Sequence, residues 1–538
     1  MDFLATRLPF RQTSYFSKTV LDYLDQAESL RPFYLFQPSM NGMRRAIDAR
    51  QGFATNRRVL VGELKAQYAT LASHHSVYQN IESLLSDNTF TITTAHQPNI
   101  FTGPLYFIYK ILHAIRMAEH CRTSMPEYNF VPVFFMGSED ADLAELGHFY
   151  LAGEKISWNT SQSGAVGRMR VDKAFLRMIS DIEGQLAVLP HGKEIFMLAK
   201  SCYNEGQTIQ DATFKFIDEL FGEFGLIVVI PDNVNLKRQA IPIFKDELLN
   251  ETASVIVAKT AARLEAAGYG VQANPREINL FYLTESHRDR IVKTKDAFIT
   301  YDPQLDKPGL TFRQGEIIAE LEEHPNRFSP NVILRGIFQE TILPNLVYIG
   351  GGGEIAYWLQ LKDLFEFYKT PYPMLLLRNS FLVVEKKWRE KIGKMGFNVE
   401  DFFVPVQELM NRLVTRETKN EIKLNGNFTQ AEALYESLRK QAVAVDASLG
   451  QHVDALRSQS IQRLKELEKK MLRAEKRKFS DQQRQLSSIR GKLFPGDGLQ
   501  ERIENLMYFY AKWGKDFLNQ LYQHSLSLEQ EFVVITEQ

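Results

Sequence analysis

Five short apolar runs, at 91–94, 131–136, 226–230, 346–349 and 374–377, are separated from one another by stretches with helical patterning. No other feature constrains the fold as much. Runs of this length with little alternation of polar residues suit strands buried on both faces, and intervening helices supply the crossovers that parallel strands require. The expectation is an α/β core built on a parallel sheet. In an open sheet of this kind the loops after the strands converge on one edge, where ligands bind. The longest apolar stretches, such as 225–231, are strand-sized and too short to span a bilayer.

Three of these runs lead into loops that carry chemistry. After the first comes Thr93-Thr94-Ala95-His96-Gln97-Pro98-Asn99-Ile100-Phe101-Thr102-Gly103-Pro104, followed by an apolar, lysine-bearing run at 105–117. A helix is expected to start near Gly103-Pro104, because proline suits a first turn whose free N–H groups favour anions. A histidine and two amides in such a turn can form a nucleotide or carboxylate pocket, although His96 could equally serve as a simple cap. After the second run, Glu139, Asp140 and Asp142 fall within four residues and repel one another unless a cation, an amine or hydrogen-bond donors face them. Their plain alternative is a helix start capped by Ser138, with acids meeting the dipole.

The fourth run enters Gly350-Gly351-Gly352-Gly353-Glu354, then a helix carrying Tyr357 and Trp358. Consecutive glycines lose much entropy on ordering and make sense where backbone approaches a ligand or another chain closely. The run is neither a Walker loop nor a dinucleotide fingerprint, since the required lysine and acidic partners are missing. A further segment, Ser329-Pro330-Asn331-Val332-Ile333-Leu334-Arg335, sets a guanidinium among apolar neighbours. Such a group needs a carboxylate or phosphate partner, or else makes a structural ion pair.

Taken together and in order, TGPLY, GSEDAD, SPNVILR and YIGGGGEIAYW resemble the BshC family, the cysteine ligase family of bacillithiol biosynthesis. The resemblance is colinear over nearly the whole chain. It implies a Rossmann-like core related to class I nucleotidyltransferases and aminoacyl-tRNA synthetases, with inserted connecting segments, and a coiled-coil arm that joins two subunits. The activity it implies is a ligase forming an amide between cysteine and glucosaminyl-malate, the last step of bacillithiol formation. By analogy with class I enzymes, His96 and Asn99 would stabilise phosphate during adenylate formation, with Asp140 as the third catalytic group. Glu139, Asp140 and Asp142 would hold the cysteine ammonium or the sugar amine, and Arg335 and Arg378 a carboxylate. Gly351 and Gly352 would let the ligand lie against backbone, with Gln97, Thr102, Gly103, Asn331, Glu354 and Tyr357 completing the binding set. ATP is the expected donor, although a lysine-rich second class I signature is not recognisable; no metal is expected.

The chain has 538 residues and a net charge of −1, so nothing electrostatic argues for a nucleic-acid partner. Its two cysteines, Cys121 and Cys202, exclude a disulfide framework and fit a reducing cytoplasm. Residues 1–10 contain Asp2 and Arg7 and no secretory pattern follows them. We expect a core at 1–384, a coiled-coil arm at 385–489 and a helical segment at 490–538 returning to the core. Within the arm, Leu449, Val453, Leu456, Leu464, Leu467, Met471 and Ala474 form an apolar stripe with one irregularity near Ser460. The stripe suggests a homodimer, or an antiparallel pairing within the chain. Two other functions compete: a nucleotidyltransferase acting on another small substrate, and a non-catalytic coiled-coil interaction protein.

Overall fold

The computed structural model describes residues 2–302, 306–418 and 423–538. All five apolar runs are strands: β1 (Thr89–His96), β2 (Asn129–Met136), β3 (Ile227–Val229), β4 (Asn345–Gly350) and β5 (Met374–Leu377). They pair in parallel in the order β5-β4-β1-β2-β3. The chain steps outward from β1 to β3, then returns to the other side of β1 for β4 and β5. The direction reverses between β1 and β4, so the loops leaving these two strands part and open a crevice above their carboxyl ends.

Burial on both faces explains the composition of β1. Phe90 and Ile92 join Ala114, Met117, Ala118 and Cys121 of helix α1 (Tyr106–Ser124) in the core. The threonines of β1 are also fully buried, and their hydroxyls find partners: Thr94 donates to the Ile349 carbonyl at 2.8 Å, and Thr91 to Asn345 Oδ1 at 3.2 Å. Burial pushes the Cys121 thiol up to about 12 and that of Cys202 up to about 11, which makes both structural groups and poor nucleophiles.

Besides a small hairpin of His148–Leu151 with Glu154–Ser157, the described residues form two further sheets that had no clear periodic signal. One is an antiparallel sheet with strands Lys307–Phe312, Phe298–Asp302, Arg288–Lys293, Leu280–Leu283 and Phe328–Pro330, in that spatial order. The other places Phe532–Glu537 between Phe3–Leu8 and Ser380–Val384. The segment 490–538 is therefore not purely helical. Its amphipathic stretch is two helices, Leu506–Trp513 and Lys515–His524, divided at Gly514 with φ of 63°.

The chain forms two compact units, Met1–Val383 with Gly498–Gln538, and Val384–Asp497. In the second unit, helices Asn425–Val445 and Leu449–Lys476 form an antiparallel pair. Tyr435 meets Ser460 at 2.5 Å and Arg439 meets Asp454 at 3.2 Å, so one number falls as the other rises. The Tyr435 hydroxyl accounts for the break in the stripe at Ser460. The apolar seam is thus partly covered within the chain. Leu434, Leu438, Leu449, Leu456 and Leu467 nevertheless remain 39–57% exposed.

Candidate active site

The crevice between β1 and β4 holds a cavity of about 270 Å³, lined by His96, Gln97, Tyr106, Arg335, Glu354, Tyr357, Arg378, Arg502 and the glycines 351–353. β1 delivers His96 to its floor. Nδ1 of His96 lies 3.2 Å from the Gln97 carbonyl, which can only accept, so Nδ1 carries the proton. Nε2 then accepts from the Tyr106 hydroxyl at 3.2 Å. Burial, reinforced by the Lys110 ammonium, pushes His96 down to about 3, and burial pushes Tyr106 up to about 12. Both groups are neutral at physiological pH. His96 is therefore an oriented acceptor locked to a tyrosine, and not the free donor expected from the sequence.

The turn that follows is left-handed for three residues, Phe101 (φ 49°), Thr102 (φ 67°) and Gly103 (φ 56°). Backbone of this kind is costly for residues other than glycine and persists only when its surroundings fix it. Here the Phe101 ring lies 4.9 Å from that of Tyr203 and 5.1 Å from that of Phe149, centroid to centroid. Asn505 donates to the carbonyls of Phe101 at 2.8 Å and Gly103 at 2.5 Å. A Cβ on Gly103 would fall 2.7 Å from Asn99 Cβ. Asn99 and Thr102 are buried beneath this turn and, with Gly103, lie outside the cavity lining. These three residues shape the loop, and only His96 and Gln97 present it to the crevice.

The glycine run has two purposes. At Gly350 and Gly352 a Cβ would approach Glu354 Cβ and Val20 Cγ2, each to 2.9 Å, so packing demands glycine there. Gly351 and Gly353 are roomier and face the cavity. Glu354 opens helix α3 (Gly352–Trp358) and accepts from the Lys110 ammonium at 2.6 Å, the Tyr348 hydroxyl at 2.6 Å and the Gly351 N–H at 2.8 Å. Lys110 is fully buried and also donates to the Ala95 carbonyl. Burial works against a charged Glu354, but Lys110 and these hydrogen bonds outweigh it and hold the carboxyl below its usual range.

Arg335 stands on helix α2 (Val332–Ile342), in space left by Gly137, whose Cβ would lie 3.4 Å from the guanidinium. It donates to Tyr357, and the fields of Tyr357 and Asp140 keep it charged despite burial. Among the described residues no carboxylate forms an ion pair with it, so its charge is directed into the crevice. Asn331, by contrast, caps α2 through the Ile333 N–H at 2.9 Å and donates to Asn279 at 2.8 Å, away from the cavity. Arg378 lines the cavity and stacks 5.0 Å over the Tyr106 ring, but it is paired at 2.6 Å with the buried Glu501. Its charge is spent there, which argues against its holding a substrate carboxylate.

The acidic segment divides three ways. Glu139 is buried in an ion pair with Lys237 and accepts from Ser329 at 3.2 Å, while Lys237 also nears Asp232 at 3.4 Å. That network is structural. Asp142 caps the short helix Leu143–Leu146, as in the plain reading of this segment. Asp140 alone connects with the crevice, accepting from Gln97 Nε2 at 3.0 Å and from Arg288 at 3.3 Å. Burial opposes its charge, but Arg288, Arg335 and Gln97 hold its carboxyl below the usual range. His96 and Asp140 are thus one glutamine apart. Tyr106, Lys110, Arg288 and Arg502 were not anticipated. A lysine inside the apolar run at 105–117 was the one available signal, whereas Arg502 arrives from a segment remote in sequence.

His113 repeats the His96 pattern inside α1. Its Nε2 donates to the Ser527 carbonyl at 2.8 Å, its Nδ1 accepts from the Asn379 N–H at 3.2 Å, and burial pushes it down to about 4. In the unfolded chain both histidines bind a proton below about 6.5. In the folded chain they do so only near 4 and 3. Their contribution to stability is therefore full above 6.5 and lost as the pH falls, by about 1.4 kcal/mol per pH unit for each group. Urea midpoints at pH 7 and pH 5 should show that His113→Gln removes part of this acid sensitivity. Equal sensitivity in the variant would show that His113 is not held neutral.

The fold and its switch-point crevice define a Rossmann-like α/β protein with a C-terminal coiled-coil domain. The family described as "Bacillithiol biosynthesis BshC, N-terminal Rossmann-like domain" matches residues 4–379, and "Bacillithiol biosynthesis BshC, C-terminal coiled-coil domain" matches 381–537. A relative from Cytophaga hutchinsonii is 38% identical, covering 97% of each chain. One from Flavobacterium psychrophilum is 35% identical over 98% of each, and one from Flavobacterium johnsoniae is 36% identical over 98% of this chain and 99% of its own. All three bear the name "Putative cysteine ligase BshC". The chain belongs to the BshC family of bacillithiol biosynthesis.

Proposed function

We propose that this chain is a cysteine ligase that forms an amide between the carboxyl of cysteine and the amine of glucosaminyl-malate. The observation that carries this reading is Arg335, charged, free of any ion pair among the described residues and facing a cavity walled by the neutral His96–Tyr106 pair. A guanidinium so placed suits a carboxylate. Asp140, kept ionised at the end of the Gln97 side chain, suits the ammonium of cysteine or the sugar amine. His96 and Tyr106 position groups by hydrogen bonds, and Glu354 with Lys110 fixes the floor.

A carboxylate does not yield an amide until its oxygen becomes a better leaving group, and ATP is the donor we propose. The residues fit an anionic co-substrate: among the described residues, Arg335 and Arg502 are the cations of this cavity without an ion pair. Next to it, a space of about 450 Å³ shares Gly352, Gly353 and Arg502. ATP, when bound, would supply the leaving group. The test is incubation with cysteine, glucosaminyl-malate and ATP, with mass detection of bacillithiol and of the nucleotide product. Bacillithiol accompanied by ADP or AMP supports the reading. Nucleotide transfer to the sugar without an amide would indicate a nucleotidyltransferase, and no reaction by folded protein would favour a non-catalytic role.

We also propose a homodimer through the second unit. The leucines left exposed along its helix pair form an apolar strip that a second copy would cover. Sedimentation should show a dimer for the native chain and a monomer for the doubly substituted Leu456→Glu, Leu467→Glu. A dimer that survives both changes lies elsewhere. Among the described residues no helix is long and apolar enough to cross a membrane. With two buried free thiols, a cytoplasmic location is the one we propose.

A further inference from the structure

Behind Asp140 lies a second and larger cavity, of about 650 Å³, between the acidic loop and the antiparallel sheet. The strand Arg288–Lys293 sends Arg288 and Arg290 to its wall, two residues apart and so on one face of the strand. Phe281 sits directly opposite Arg290 on the neighbouring strand. The Arg288 guanidinium lies 3.9 Å from the centre of the Phe281 ring, and that of Arg276 lies 5.9 Å from it. Two guanidinium groups therefore gather around one aromatic ring, and the charge of Arg290 is close enough to be felt by Arg276.

Like charges brought together and partly desolvated are unfavourable unless something answers them. Burial, with repulsion from Arg290 and Arg288, presses Arg276 below its ordinary range, and burial, with repulsion from Arg335, does the same to Arg288. Asp140 answers Arg288 at 3.3 Å. Arg276 and Arg290 have no ion pair among the described residues, and Nε of Arg290 is buried without a hydrogen-bond acceptor. The cavity also holds Asp289 and Asp302, but Asp302 lies 3.7 Å from His287 and neither acid comes within ion-pair distance of Arg276 or Arg290. Two uncompensated guanidinium groups and an orphaned buried donor, on the wall of a cavity large enough for a small molecule, make a ready receptor for oxyanions.

We propose that this second cavity binds a small ligand carrying two negative charges, through Arg276, Arg290 and, in part, Arg288. Dicarboxylates and phosphates share that chemistry. An oxyanion that reaches Arg288 competes with Asp140 for it. Occupancy of this cavity would then be felt, through Asp140 and Gln97, at the His96 loop of the crevice.

The site does not rest on the ligase reading, because its test measures binding alone. The full-length chain is titrated calorimetrically at low ionic strength and pH 8 with malate, inorganic phosphate and, as a single-charge control, acetate. At least one dianion should bind ten times more tightly than acetate, and whichever of the two binds better identifies the source of the oxyanions. R276Q, at an exposed position, should weaken that binding about tenfold, and R290Q at least as much, with the melting temperature showing that each variant is folded. If R290Q does not fold, R276Q decides. Absence of binding by both dianions overturns the proposal. So does binding that is unchanged in the folded variants, or that is lost in R335Q instead, which would assign it to the crevice.

Discussion

Arg335→Gln should lower amide formation by about a hundredfold or more while barely moving the melting temperature. A hundredfold corresponds to about 2.7 kcal/mol of transition-state stabilisation, the usual scale for a placed charged donor. The split between activity and stability follows from the partners of Arg335. Removing one member of a buried ion pair strands the other, but no carboxylate among the described residues is paired with Arg335. Asp140 keeps Arg288 at 3.3 Å and Gln97 at 3.0 Å after the change. The measurement is bacillithiol formed per enzyme at saturating cysteine and again at low cysteine, beside a thermal melt. Activity within threefold of native at both concentrations would remove Arg335 from the site. A large drop in melting temperature would recast it as a structural residue.

Glu354→Gln should do the reverse and damage the fold first. Lys110 is 0% exposed, and Glu354 is the carboxylate paired with its ammonium. An amide keeps the shape and some hydrogen bonding but leaves the charge unanswered. Breaking a buried pair in this way costs about 3–5 kcal/mol, whereas replacing both partners with apolar groups of similar volume is often close to neutral. The pair Glu354→Gln with Lys110→Met should therefore recover most of the stability lost by Glu354→Gln alone. Denaturant titrations of the single and double variants test this. A single-variant loss below about 1 kcal/mol, or a double variant no better than the single, would mean that the pair does not hold the crevice floor.

The parallel sheet was legible because strands buried on both faces leave continuous apolar runs, and all five appear. The antiparallel sheet was not. Its strands are short and half-solvated; Lys307–Phe312, for example, carries only Leu310 and Phe312 as large apolar residues. The terminal strand Phe532–Glu537 reads as apolar, but its partner Phe3–Leu8 lies at the opposite end of the chain and local pattern cannot pair them. In the crevice, sequence order located the loops but not the direction of their side chains. Asn99 and Asp142 follow strands as catalytic groups often do, yet one packs under a strained turn and the other caps a helix. The chemistry of His96 also depended on Tyr106, the first residue of α1, and on Lys110 one helical turn further along, whose burial no spacing rule specifies.

The segment 498–538 supplies Glu501 to Arg378, Asn505 to the turn after His96, Arg502 to the cavity wall, and the central strand of the three-stranded sheet. A chain that has emerged only as far as β5 has its parallel sheet in hand but an unclamped loop and an unanswered buried guanidinium. The crevice is therefore keyed shut by a segment made long after the strands that form it. A copy cut short before residue 498 would keep its five parallel strands but lose the clamp on the turn after His96 and the partner of Arg378.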